Sequence, residues 1–341
     1  MALIFCDSFD HYANADVLQK WTSQDASSSQ SPSAGNGRRG TTSWRMTTAR
    51  DMNKAVATQT TYVAGAAFKC ASLPGSTVTI IAFKEGATVH ATLRLAADGS
   101  LIVARNTTQL AASAAGVISA GAYFYLEFKA KIDNTTGTTE VWVNGAVVGA
   151  LTLTGQDTQN AGTTSITIVT LSGITAVVVD WDDLYICDTT GGSPNDTFLG
   201  DVRVDAYLPN GNGNSSQLVG SDADSTDNYL LVDEASADGD TTYVESATAS
   251  NKDTYLFGNM SHTPSVISGV QIVASAKKDD AGARSITTVT RSGGTDYDGA
   301  TVALSTAYLM YMDVRGVNPN TSAAWTKTNF DSAEFGVKVA A

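Results

Sequence analysis

Residues 123–153, YFYLEFKAKIDNTTGTTEVWVNGAVVGALTL, decide how the fold is read. On an extended chain Phe124, Leu126, Phe128 and Ile132 fall on one side, and Tyr125, Glu127, Lys129 and Lys131 fall on the other. A period of two is that of a strand with one buried face. The run DNTTG (133–137) then supplies a turn. After it Val141 and Val143 alternate with Glu140 and Trp142, and Asn144-Gly145 is a pair suited to a two-residue hairpin turn. Three strands joined by two tight turns are expected.

The same pattern runs outward in both directions. HATLRLAADGSLIVAR (90–105) is a second hairpin, turning at Asp98-Gly99. TYVAGAAFKCASL, STVTIIAFKE and SITIVTLSGITAVVVDWDDLYICD add further strands. Helical periodicity is thin, and ADVLQKW (15–21) offers one short turn of helix. Residues 189–197 (TTGGSPNDT) and 209–217 (PNGNGNSSQ) are turn-rich and poor in core residues. Strands resume in DTYLFGN, ISGVQIVASAKKD, ARSITTVTRSG, AYLMYMDVRG and AEFGVKVAA. The expected architecture is all-β: two tandem antiparallel β-sandwich (jelly-roll) domains, residues 1–192 and 193–341, with the boundary at about residue 192. The Ser-rich stretch 23–43 is expected to be an exposed loop, or to order only against a neighbouring chain.

The 341 residues carry 21 Lys and Arg against 34 Asp and Glu, a net charge of -13. A phosphate-tracking surface needs clustered cations, so nucleic acid is not an expected partner. The N-terminus lacks the basic segment of a signal peptide, and no apolar run reaches the ~18 residues of a membrane helix. Synthesis in a cytoplasm without membrane insertion is therefore expected. Cys6, Cys70 and Cys187 each lie in an apolar strand-like run and read as small buried hydrophobes.

Residues able to do chemistry are few. The three histidines, His11, His90 and His262, stand in no nucleophile signature. Asp180 and Asp182 have the alternate spacing that places two carboxylates on one strand face, as glycoside hydrolysis requires, but no third acid follows at a like interval. No catalytic residue is assigned, and the chain is expected not to be an enzyme. Asp222, Asp224 and Asp227 in SDADSTD read as a solvated acidic turn, with a calcium site as the alternative and no other cofactor expected. Trp44, Trp142, Trp181 and Trp325, with the twelve tyrosines, offer rings for stacking on sugars, and most belong in a core. Trp142 and Trp44 are taken as the carbohydrate-contacting candidates. Trp142 runs out of phase with Val141 and Val143 and so belongs to an open face.

Residues 1–190 resemble the concanavalin A-like lectin/glucanase superfamily in its laminin G-like form. The resemblance rests on LIFCDSFDHY, HATLRLAADGSLIVAR and YFYLEFKAKIDNTTGTTEVWVNGAVV. It implies the sandwich but no site, because the hydrolases' Glu-x-Asp-x-x-Glu strand is missing. The whole chain is also similar to minor structural proteins of tailed bacteriophages. That similarity rests on MALIFCDSFDHYANADVLQKWT, GRRG, DDLYICDTTGGSPNDTFLGDVRVDAYLPNGNGN, DNYLLVDE and NPNTSAAWTKTNFDSAEFGVKV. It implies a virion protein displayed on head or tail. Its expected partners are capsid or tail proteins, further copies of itself as a homo-oligomer, and a host-surface glycan. A stand-alone lectin-like module is the alternative.

Overall fold

The computed structural model describes residues 3–25, 27–189, 195 and 197–340. Among these the chain is almost wholly β, with α-helix confined to Val17–Lys20 and Lys327–Asp331. It forms two compact units, one of residues 1–14 and 21–205, the other of residues 15–20 and 206–341. The boundary expected at about residue 192 lies outside the described residues. Residues 197–205 belong to the first unit.

The first unit is a pair of antiparallel sheets. One runs Ala146–Val147, Gly137–Val143, Phe124–Lys131, Thr61–Cys70, Val179–Asp188, Thr42–Met46, Gln30–Ala34, with Leu3–Asp7 also paired to Val179–Asp188. The other runs Thr108–Ala112, Leu101–Arg105, Thr88–Leu95, Val78–Glu85, Ile166–Ser172, Asp51–Gln59, Ser23–Gln24. Phe128 of the first sheet stacks on Phe83 of the second, ring centroids 5.0 Å apart. Phe68 packs on Trp181 at 4.8 Å. All four rings are fully buried. Burying each stabilises the fold by roughly 2–3 kcal/mol.

The hairpin at the centre of the sequence argument is present. Phe124–Lys131 pairs with Gly137–Val143 from Leu126 opposite Val143 to Lys131 opposite Thr138. Asn144 and Gly145 take φ of 51° and 75°, the left-handed pair that matches the twist of two antiparallel strands. One expectation is corrected. The face carrying Tyr125 and Glu127 was read as open, yet both residues are fully buried. Periodicity reports which residues share a face, and the same chain folds back over this one.

The Ser-rich stretch is also corrected. It is not a loop throughout: Gln30–Ala34 pairs with Thr42–Met46, from Gln30 opposite Met46 to Ala34 opposite Thr42. Pro32 is tolerated because this is an edge strand. Gln30 is buried and accepts a hydrogen bond from Trp44 Nε1 at 3.2 Å.

The second unit has a five-stranded sheet in the order Pro209–Ser216, Lys252–Phe257, Glu334–Val339, Ser285–Ser292, Thr295–Ala303. A two-stranded ribbon joins Val270–Ala276 to Leu309–Arg315. Ile267, Ile272, Trp325, Phe330, Ala333 and Phe335 form its core. The expected fold class, all-β and of antiparallel sandwich type, holds, while residues 15–20 group with the second unit, so the units are not two uninterrupted stretches of chain.

Candidate functional site

Strand Val179–Asp188 lies inside its sheet, between Thr61–Cys70 and Thr42–Met46. Its register slips between Asp182 and Tyr185, where three steps along one strand face two along the other, from Ala67 to Gly65. That is a β-bulge. Asp183 takes a left-handed φ of 48° there. The bulge turns consecutive residues, Asp182 and Asp183, toward the loop of residues 36–41.

Three of this strand's four carboxylates, Asp180, Asp182 and Asp183, are nearly sealed from solvent and fully used. Asp180, 2% exposed, accepts from Arg45 Nε at 2.8 Å, Arg45 Nη2 at 3.0 Å and Ser43 Oγ at 2.9 Å. Lys69 Nζ lies 3.2 Å from its other oxygen. Asp182 accepts from the Arg38 backbone N–H at 2.7 Å and the Asp183 N–H at 2.8 Å. Asp183 accepts from Arg39 Nη1 at 2.8 Å and from the Val204 N–H at 2.7 Å. Two arginines of the GRRG loop and one backbone amide from beyond the strand thus converge on two adjacent acids.

Glu127 completes the face from the neighbouring hairpin. It is 0% exposed. Its Oε1 accepts from the Tyr185 hydroxyl and from the Gly200 N–H at 2.8 Å, while Oε2 is buried with no hydrogen-bond partner. Tyr185 in turn accepts from the Leu199 N–H at 3.1 Å, and the Tyr125 hydroxyl donates to the Asp183 carbonyl at 2.9 Å. Arg38 reaches back across the cluster to the Asp201 carboxylate and to the Val202 carbonyl at 3.1 Å. Residues 199–204 are therefore bound across the sheet as a strap, mostly through their own backbone.

Burial sets the protonation chemistry of this cluster. Desolvation, with Asp183 beside it, pushes the Asp182 carboxyl up from 3.8 to about 7. Desolvation also raises Asp183, Glu127 and Asp10 above the ordinary carboxylate range. A raised pKa means that the fold prefers the neutral acid. The stability it contributes is complete below pH about 4 and is lost as pH rises through about 7. Wild type is accordingly expected to lose up to about 4 kcal/mol more than Asp182→Asn between pH 4 and pH 8. Urea titrations of both proteins at the two pH values measure the difference. Equal pH dependence in the two would show that Asp182 is not the group responsible.

The residues singled out from sequence fare unevenly. Asp180 and Asp182 do share the cluster, joined by an acid the spacing argument passed over, Asp183. Trp44 is corrected as a sugar platform: it is 0% exposed, packed against Phe9 at 6.3 Å, and a ring without a free face cannot stack on a sugar. Trp142 is partly exposed. Its ring stacks on Phe198 at 5.1 Å, its Nε1 donates to Glu140 at 2.8 Å, and Lys129 Nζ lies 6.0 Å from the Phe198 ring. Asp222 and Asp224 turn back on their own loop, accepting from the Asp224 and Thr226 N–H groups at 3.3 and 2.7 Å. Among the described residues no three His, Cys, Asp or Glu side chains come together as a metal site. Cys70 and Cys187 are buried thiols and Cys6 is partly buried.

Arg38, Arg39, Glu127 and Tyr185 were missed as site residues. The available signal was an arginine pair bracketed by glycines in a chain short of cations, and an Asp-Trp-Asp-Asp run to receive it.

No protein-family model matches this chain. No curated protein matches it either. Among solved structures it is similar to the cellulose-induced protein Cip1, at 17% identity over 54% of this chain and 96% of that one, with a TM-score of 0.41. It is similar to a sialidase at 11% identity over 55% of this chain, with a TM-score of 0.42, and spans only 19% of that protein. An alginate lyase, AlgAT5 of polysaccharide lyase family 7, matches at 13% identity over 48% of this chain and 79% of its own, with a TM-score of 0.31. These likenesses concern the β-architecture alone. They correct one expectation: the chain was read as not being an enzyme, and the matching structures include ones named as a sialidase and a lyase.

Proposed function

We propose that this protein is a structural component of a tailed-bacteriophage particle, displayed on head or tail. Its β-units make contacts with other virion proteins and with further copies of the chain. One observation supports this reading above others. The segments that resemble phage structural proteins, LIFCDSFDHY, GRRG and DDLYICD with the following FLGDVRVD, meet in one place. Asp10 accepts from the Thr42 N–H at 2.7 Å, Arg39 binds Asp183, Arg38 reaches Asp201, and Val204 is held by Asp183. The resemblance thus falls on residues that build the architecture. Cryo-electron microscopy of purified particles tests the proposal. Ordered density for this chain in symmetric contact with a capsid or tail protein is expected, and its absence from the particle would overturn the assignment.

Glycan recognition by the first sandwich is a second reading, supported by the half-buried Trp142–Phe198 pair with a cation and a carboxylate beside it. Shallow sugar sites combine an aromatic face with a few polar groups. A glycan array on the isolated protein should show binding that Trp142→Ala reduces at least tenfold. An unchanged array would remove Trp142 from the site.

A further inference from the structure

The strap of residues 199–204 has an unusual hold on the sheet beneath it. It makes no ladder pairing and carries no strand. It is fixed by single hydrogen bonds from the Leu199, Gly200 and Val204 N–H groups to Tyr185, Glu127 and Asp183, and by Arg38 to Asp201 and Val202. Its residues are partly or fully exposed, while Glu127, Tyr185 and Asp183 below it are 0–3% exposed. A thin, solvated segment is thus what seals several ionisable groups from water.

The cost of that seal falls on Glu127. Its Oε1 already accepts two hydrogen bonds, and its Oε2 is enclosed with no donor to meet it. A neutral carboxyl tolerates this position. A carboxylate there would keep one oxygen's share of charge out of water and unpaired, which disfavours it strongly. With the strap lifted, water would solvate both oxygens and the acid would ionise in its ordinary range.

We propose that residues 199–204 form a pH-governed latch, closed over the sheet when Glu127 is neutral and released when it ionises. The latch would be shut in acid and loosened toward neutral and alkaline pH. The closed state favours the neutral acid, so closure is complete at low pH and weakens as pH rises through the closed-state pKa. Burial raising the Glu127 carboxyl agrees in direction.

Other charged groups face the strap and act on it differently. Asp183 also bonds the strap and is raised by burial, but Arg39 and Arg38 beside it oppose that rise by favouring its charged form, an opposition that Glu127 lacks. Asp201 is likewise paired with Arg38. Asp182 touches the strap only through Arg38, whose backbone N–H it accepts. Asp180 is held by Arg45 and Lys69 and has no bond to the strap. The phenols of Tyr125 and Tyr185 stay neutral, being pushed well above their usual value by burial. Lys129 lies near the strap's start, over Phe198. Among the described residues Glu127 is the acid of this set that bonds the strap directly and has no ion-pair partner.

Hydrogen exchange of the peptide spanning 198–204, corrected for intrinsic rates, tests the proposal on the full chain. Protection in wild type should fall by more than about tenfold between pH 5 and pH 8. Glu127→Gln keeps an acceptor for Tyr185 and Gly200 but cannot ionise, so it should hold the strap protected at both pH values. Gly200 sits at φ 82°, which aims its N–H at Glu127, so Gly200→Ala should lower protection at every pH. Flat protection in wild type would overturn the latch. So would a wild-type pH profile that survives in Glu127→Gln, or one that disappears in Asp182→Asn alone. If Glu127→Gln fails to fold, the wild-type profile and the Gly200→Ala comparison still decide.

Discussion

Replacing Gly65 by alanine is expected to destabilise the first unit by more than about 3 kcal/mol, enough to unfold a domain of ordinary stability. Gly65 sits in Thr61–Cys70, between Glu127 on one neighbouring strand and Tyr185 on the other. A Cβ there would stand 2.1 Å from Tyr185 Cε1 and 2.6 Å from its Cζ. The ring has nowhere to go. Its hydroxyl donates to Glu127 and accepts from Leu199, and Tyr125 stacks alongside at 6.5 Å. The strand cannot retreat either, because it is hydrogen-bonded on both sides. Chemical denaturation followed by tryptophan fluorescence measures the loss. Combining Gly65→Ala with Tyr185→Ala should recover part of it, since the obstructing ring is gone, and the two changes should be clearly non-additive. A Gly65→Ala protein as stable as wild type would mean that Tyr185 does not lie over this glycine.

Asp253→Ala is expected to cost the second unit about 4 kcal/mol. Asp253 is 0% exposed and anchors two separate pieces of chain, at Gln217-Leu218 and at Asn228, to its own strand. Its Oδ1 accepts from the Gln217 and Leu218 N–H groups at 2.6 and 2.8 Å. Its Oδ2 accepts from Asn228 Nδ2 at 2.6 Å and from the Tyr255 hydroxyl at 3.1 Å. Alanine removes the acceptor and leaves enclosed donors unpaired. A stranded donor costs more than the net worth of the bond it lost. Asp253→Asn retains an oxygen for the two amides but sets an amide against the Asn228 amide, so it should cost roughly half as much. Hydrogen exchange at the Gln217 and Leu218 amides reports the loss locally, and denaturation reports it globally. Full protection of both amides in Asp253→Ala would refute the anchoring role.

The hairpins were legible because their signals are local. Asn144-Gly145 and Asp98-Gly99 close their turns through backbone angles that few residue pairs adopt, and the alternation of Phe124, Leu126 and Phe128 follows from the two-residue pleat. Five strands of the second unit were legible for the same reason, but Thr295–Ala303 was not, and Pro209–Ser216, read as a turn-rich stretch, is an edge strand paired to Lys252–Phe257. The Ser-rich stretch was not. Gln30–Ala34 has no apolar alternation, and it forms a strand because Thr42–Met46 offers an edge and Trp44 needs Gln30 as a partner. Trp44 and Trp142 show the limit from the other side. Both are tryptophans in strands, yet one is fully buried and the other partly exposed, a difference set by distant chain.

The cluster divides along the same line. Spacing alone brought out Asp180 and Asp182. It could not bring out Asp183, because a bulge that breaks the period of two is invisible to an argument built on that period. Nor could it bring out Glu127, read as one of the exposed residues of an amphipathic strand. By itself the sequence determined the all-β class and the hairpin turns, each written in neighbouring residues through the pleat and the allowed backbone angles. Only the tertiary structure decided which acids are buried, what pairs them and what covers them. Several of those contacts join residues more than seventy positions apart, such as Glu127 to Gly200 and Arg38 to Asp182, and burial and charge are properties of that assembled neighbourhood.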